Sequence, residues 1–316
     1  MITRSRWKMR SAALVIATLF GLGLSATPHT EETETPGAVS RFAGEVTRET
    51  YPETDAPATP PVFRWDFSSP DVVHTYSYEQ EVRTTSDLGL SVGDAPGTLD
   101  QTMSSTGVLL VRSRGSGTGE LVLKDVKVRM ESDVGGDDGS RSMEQTIPPI
   151  VVQGLKEDGS GAFGDNPQDM FLKMLFHLPP KALRVGESVD VPAQMPFNAM
   201  GSVLQVKGRF RITLTRYVRI AENRCAQLDV DTDISQLNVP PELQGEYRCS
   251  LRGTSVFYFD VQHRRFQSGT TAVVMQAFID APMPKMAIPG EAMPDLPERS
   301  KLSMVSDNLI RVQLQE

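Results

Sequence analysis

The chain has 316 residues, of which 39% are hydrophobic, and a formal net charge of −8. That apolar content builds a real core and excludes wholesale disorder. The acidic balance repels nucleic acid and anionic lipid surfaces. Arg209, Arg211, Arg216 and Arg219 make no basic patch beyond one strand, so nucleic-acid binding is excluded as well.

Arg4, Arg6, Lys8 and Arg10 form a positive segment ahead of an apolar run at 12–20, and Gly21, Gly23, Ser25 and Ala26 follow it. This order predicts a signal peptide over 1–26, and with it a periplasmic or secreted protein. An uncleaved membrane anchor is the alternative, but the run is short for a bilayer and no later stretch nears about 18 apolar residues. No stable membrane span is expected after leader removal. No Cys follows the run to carry a lipid, and the arginines are not adjacent, which predicts the general export route. Loss of the leader's four positive charges takes the net charge from −8 to about −12.

Residues 27–61 place Glu31, Glu32, Glu34, Glu45, Glu49 and Glu53 among Thr, Pro and Ala. That composition predicts a disordered acidic tether, with one antiparallel β domain over 62–316. Order is expected from Phe63, Trp65 and Phe67 onward. Tyr76, Tyr78 and Val82 share one face of an early strand. A hairpin is expected over 103–111 and 121–130, turning at 114–119. Leu204, Val206, Phe210, Ile212, Leu214, Val218 and Ile220 alternate with polar residues along the strongest strand. Further strands are expected at 226–234, 247–261, 266–279 and 302–314. Several exceed the usual five or six residues, and long twisted strands curl.

One amphipathic helix is expected. Asp165 or Asn166 can cap it, Pro167 suits its first turn, and Met170, Phe171, Met174, Leu175 and Leu178 recur at helical spacing before Pro179-Pro180. The predicted fold class is therefore mostly β (α+β): a large curved antiparallel sheet, half-barrel-like, with one helix packed on its concave face.

Few residues carry candidate chemistry. Cys225 and Cys249 form an even pair in an exported chain, which predicts a disulfide, although the strand alternation sets them on opposite faces. Asp229, Asp231 and Asp233 have the opening spacing of a calcium loop, but Ile234 stands where glycine is needed and Pro240 where the closing glutamate belongs. A solvated strand face is the expected reading. The 133–139 stretch reads as a turn, with a weak cation site as the lesser reading. Gly115, Gly117 and Gly119 lack the P-loop spacing and lysine. His29, His74, His177 and His263 show no metal-ligand spacing, and His177 suits a helix C-terminus. Met283, Met286, Met293, Met195 and Met200 could offer thioethers to Cu(I), but no His or Cys joins them, so packing or a methionine-lined pocket is expected. No nucleophile elbow is present. No catalytic residue, metal site or cofactor is predicted.

The phrase Leu178-Pro179-Pro180-Lys181-Ala182-Leu183-Arg184-Val185-Gly186-Glu187-Ser188 resembles an L-P-x-x-x-V-G-[DE]-[ST] pattern of uncharacterised exported bacterial proteins. Arg224-Cys225-Ala226-Gln227-Leu228, together with Tyr76 and Tyr78, fits that pattern too. The resemblance implies no activity. The plan of long strands plus a helix also resembles half-barrel carriers of lipoproteins and lipids in bacterial envelopes, an analogy of architecture alone.

These readings converge on a non-enzymatic envelope protein whose partner is an apolar small molecule or another envelope protein. Met170, Phe171, Met174, Phe210 and Ile212 are the expected lining of a concave apolar site. The alternative is a structural or protein-interaction module in which the same residues form a closed, dry core. An outer-membrane barrel is disfavoured by the charged polar faces and by the absence of an aromatic at the C-terminus.

Overall fold

The computed structural model describes residues 39–46, 49–87, 98–134, 141–161, 163, 172–199, 201–282 and 299–315. The expected signal peptide and residues 27–38 lie outside them.

The alternating segments pair into one antiparallel sheet of eleven strands. They are β1 (Val73–Asp87), β2 (Thr98–Gly115), β3 (Thr118–Val134), β4 (Arg141–Ile147), β5 (Ile150–Lys156), β6 (Ser188–Ala199), β7 (Ser202–Ile220), β8 (Asn223–Asn238), β9 (Glu246–Asp260), β10 (Arg265–Pro282) and β11 (Arg299–Leu314). The order is β4-β3-β2-β1-β11-β10-β9-β8-β7-β6, with β5 also on β3. Two meanders, β1–β4 and β6–β11, are thus joined where β11 pairs β1. The turn between β2 and β3 has positive φ at Ser116 (55°) and Gly117 (75°), the conformation a two-residue hairpin turn demands.

The sheet is open, and its edges carry prolines. Pro148 and Pro149 separate β4 from β5, which extend one register along β3. Pro192 and Pro196 sit in β6 at the other end. Proline cannot donate to a further strand, which blunts both edges against aggregation.

Curvature follows from one pair of adjacent residues. Phe176 lies 5.9 Å from the Tyr76 ring on β1, while the His177 ring lies tilted 3.8 Å from that of Phe210 on β7. Five strand intervals separate β1 from β7, about 24 Å in a flat sheet. Two neighbouring side chains reach both only if the sheet wraps around them. Glycines permit the bend: a Cβ at Gly208 would lie 2.1 Å from the Asp233 carbonyl oxygen, and one at Gly253 would lie 2.1 Å from that of Ala272.

The inner face forms one apolar core that takes in residues of β3 and β5 at one end of the sheet and β6 and β7 at the other. Phe63, Trp65 and Phe67 alternate as expected but join no strand. They plug one end of the concavity, with the Trp65 amide donating to the Glu157 carbonyl at 2.7 Å and Trp65 packed on Phe176 and Phe266.

Two expectations are corrected here. Most of the predicted helix, including Met170 and Phe171, lies outside the described residues. Of its described part only Leu172 and Lys173 are helical. Among the described residues the other helical segment is the 3-10 turn Ala43–Glu45, so no packed amphipathic helix is found. Met174, Leu175 and Phe176 are buried in succession. A segment enclosed on several sides gains nothing from confining its apolar residues to one helical stripe.

The tether is the second correction: residues 39–46 and 49–61 form a strap on the outer face. Phe42 packs on Ala272 and Leu309, and Tyr51 meets Tyr258 edge-on at 5.0 Å. The Thr54 amide donates to the Tyr217 carbonyl, and the Arg219 amide to that of Pro52, beyond the point where β6 stops pairing β7. Arg41–Asp307, Arg311–Glu45 and Arg216–Glu53 ion pairs fasten it. The glutamates suggested solvent, whereas two aromatics and three ion pairs hold the segment down.

Candidate binding face

Antiparallel register aligns inward residues into rows that cross the whole sheet. One row runs Ser105, Gln80, Ile310, Thr271, Ser255, Val230 and Ile212 from β2 to β7. The next runs Met103, Val82, Asn308, Val273, Gly253, Thr232 and Phe210. Neither row contains a formally charged residue. They separate the aromatic plug from the half-buried Leu302 and Met304 further along β11.

The middle of these rows is polar and sealed from solvent. The Tyr78 hydroxyl donates to Gln80 Oε1 at 3.0 Å, leaving Gln80 Nε2 without a partner. Thr84 Oγ1 and Ser306 Oγ are 3.0 Å apart, and Asn308 Nδ2 donates to the Ser306 carbonyl at 3.3 Å. Asn308 Oδ1 has no partner, nor has Thr271 Oγ1, although these residues are 0% and 1% exposed. Gln80 and Thr271 both register on Ile310, and Asn308 lies two residues along the same strand. Strand spacing sets the three side chains within about 10 Å of one another. An unpaired buried donor or acceptor costs about 1–3 kcal/mol, and such groups in native proteins mark a water, an ion or a ligand. A neutral donor, a neutral acceptor and a hydroxyl suit an uncharged polar group.

Met174, Phe210 and Ile212 are all buried in the main core. Of these, Phe210 and Ile212 sit at the ends of the two rows, and Met174 belongs to the central segment. Met170 and Phe171 fall outside the described residues.

The cysteine expectation is corrected: both thiols are free. Cys225 pairs with Asp260 between β8 and β9, and Cys249 lies eleven residues from Asp260 along β9, about 36 Å away. A disulfide needs Cα atoms within about 7 Å. They also face opposite ways: Cys225 packs under the strap with Val218, Val256 and Tyr258, whereas Cys249 belongs to the inner core. Burial pushes each thiol up to about 12, and the Asp260 carboxylate adds to the rise at Cys225. Both thiols therefore stay protonated at neutral pH, the form that does not attack.

Asp260 is buried and accepts from His263 Nδ1 at 2.8 Å, from the Gln262 and His263 amides at 2.9 Å, and from Gln267 Nε2 at 3.2 Å. The pair resembles part of a catalytic triad, but these bonds close the β9–β10 turn, and the thiol across the ladder stays protonated. Burial holds His177 neutral, with its pKa down at about 3. Asp190 bonds Arg209 and Arg211 at 2.9 Å on the outer face, and Asp233 pairs Arg252 at 3.5 Å. That face is a solvated charge ladder. Among the described residues no group of three or more His, Cys, Asp or Glu could hold a metal ion, and no helix is long and apolar enough to cross a membrane.

No protein-family model matches the sequence, and no curated protein matches it. The resemblance read at 178–188, 224–228 and Tyr76 and Tyr78 therefore rests on those residues alone. The chain is similar to a solved structure concerning lipid-protein interactions in lipovitellin, with a TM-score of 0.39 and 8% identity over 79% of this chain and 26% of that one. It spans about a quarter of that protein's length, and a likeness this distant adds nothing to the geometry.

Gln80, Thr271 and Asn308 were not singled out from the sequence. The signal was available: each interrupts the apolar side of a strand whose neighbours two residues away include Tyr78 and Val82, Val273, or Ile310.

Proposed function

We propose that this is an exported, non-enzymatic envelope protein that holds an amphiphile against the inner face of its sheet. Its apolar tail would lie along the charge-free rows, and its uncharged head would pair with Gln80, Thr271 and Asn308. The observation that carries this reading is the set of three unpartnered polar atoms in two rows without charge. Leu302 and Met304, half-buried on the same face of β11, give the side from which a ligand would enter. The test is native mass spectrometry of protein recovered from the periplasm, before and after organic extraction. An added mass that disappears on extraction supports the reading. A bare polypeptide in both samples contradicts it.

A second reading, a structural or protein-interaction module with a closed core, is favoured by the burial of Met174, Phe210 and Ile212. In that case water would pair the three atoms and no ligand would be recovered.

A further inference from the structure

Beyond Met103, the row that holds Asn308 continues to the sheet edge through methionine alone. Met103 on β2 stands opposite Met130 on β3, and Met130 stands opposite Met143 on β4. Directly paired residues project to the same side of a sheet with Cβ atoms about 4.5–5.5 Å apart. Three thioethers therefore line up on one face across three strands. Met103 and Met130 are partly buried against the core, and Met143 at the edge is 40% exposed. The row has solvent access at one end and an apolar floor beneath it.

We propose that Met103, Met130 and Met143 form a binding site for a soft monovalent cation of the Cu(I) class. Methionine is unbranched with three rotatable bonds, so the two outer side chains can lean over the central one and bring three sulfurs to one point. Thioethers are soft, neutral ligands that favour Cu(I) over the hard and borderline cations that carboxylates and imidazoles hold. The register partners supply no carboxylate, imidazole or thiolate, which selects against calcium, magnesium and zinc. The chain's acidic net charge favours a cation. These residues are distinct from the methionines at 195, 200, 283, 286 and 293, which the sequence alone brings to notice. The site does not depend on the amphiphile reading.

Silver(I), a redox-inert stand-in, titrated into purified protein labelled at its methionine methyl carbons provides the test. The expected result is saturation at one equivalent, with the Met103, Met130 and Met143 signals moving together. Leucine matches methionine in volume, so the fold should survive its introduction. Met130→Leu should abolish the one-equivalent site, and Met143→Leu should weaken it at least about tenfold, the scale of losing a metal-site interaction. Silver that shifts only other methionines, or binds Met130→Leu as tightly as the parent, would overturn the proposal.

Discussion

Gln80 on β1 and Thr271 on β10 face the same residue, Ile310 of β11, from its two sides, and each keeps one polar atom unpaired. A core assembled only for stability would fill such positions with Val or Leu, because an apolar isostere carries no desolvation cost. On the proposed reading, the ligand-free sheet is less stable than its shape allows, a frequent cost of keeping a site.

Thr271→Val removes the unpaired hydroxyl without changing the volume. The ligand-free variant should gain about 1 kcal/mol, or about 2–4 °C in melting midpoint for a domain of this size. Calorimetry on extracted protein checks this. A clear loss of stability would mean that the hydroxyl has a partner after all.

The two thiols should differ in what protects them. Neither should react with a thiol reagent at neutral pH in the native protein, and both should react after unfolding, with no disulfide to reduce. Deleting residues 39–61 should expose Cys225 and leave Cys249 protected by the inner core. Both folded pKa values are raised from 9.0 to about 12, so the unfolded chain loses these protons first. Their contribution to stability is complete below pH 9 and is lost as pH rises towards 12. Denaturant titrations across that window would show it.

His177 gives the opposite dependence. Its folded pKa falls from 6.5 to about 3, so below pH 6.5 the unfolded chain takes up a proton that the folded chain refuses. Stability is full above pH 6.5 and declines as pH falls towards 3. His177→Phe keeps a ring against Phe210 and should lose less stability between pH 7.5 and 4.5 than the parent. Equal losses would assign the acid sensitivity to other groups.

Gly253→Ala should be severe, because the added methyl meets the Ala272 carbonyl oxygen at 2.1 Å. A loss of several kcal/mol is expected from overpacking plus backbone displacement. Urea unfolding checks the magnitude, and an unchanged midpoint would mean that the bend does not depend on this close approach.

The strands were readable because alternation is strong where one face is buried: the expected face of β7 holds from Leu204 to Leu214. A register shift between Leu214 and Arg216 turns Val218 and Ile220 to the strap side instead. Curvature and pairing order were less readable, since they depend on contacts such as Tyr76–Phe176 between distant segments. The helical spacing around Met174 misled because a segment buried on several sides imitates one face of a helix. The strap misled in the other direction, its glutamates outweighing Phe42 and Tyr51 in composition. For the cysteines, face alternation was the better guide, and the expectation from an oxidising compartment was the weaker one. Gln80 lay in plain view on the Tyr76–Tyr78–Val82 face, but only register reveals that Thr271 and Asn308 adjoin it.

Titration of extracted protein with a neutral single-chain amphiphile, monitored by intrinsic fluorescence, tests the central claim most directly. The comparisons are an alkane of equal length and the Asn308→Leu variant. The expected result is saturable binding of the amphiphile, at least about tenfold tighter than the alkane and weakened by a similar factor in Asn308→Leu, as follows when a buried polar partner is removed. Binding that is absent in the parent, or equal for amphiphile and alkane and unaffected by the substitution, would contradict it.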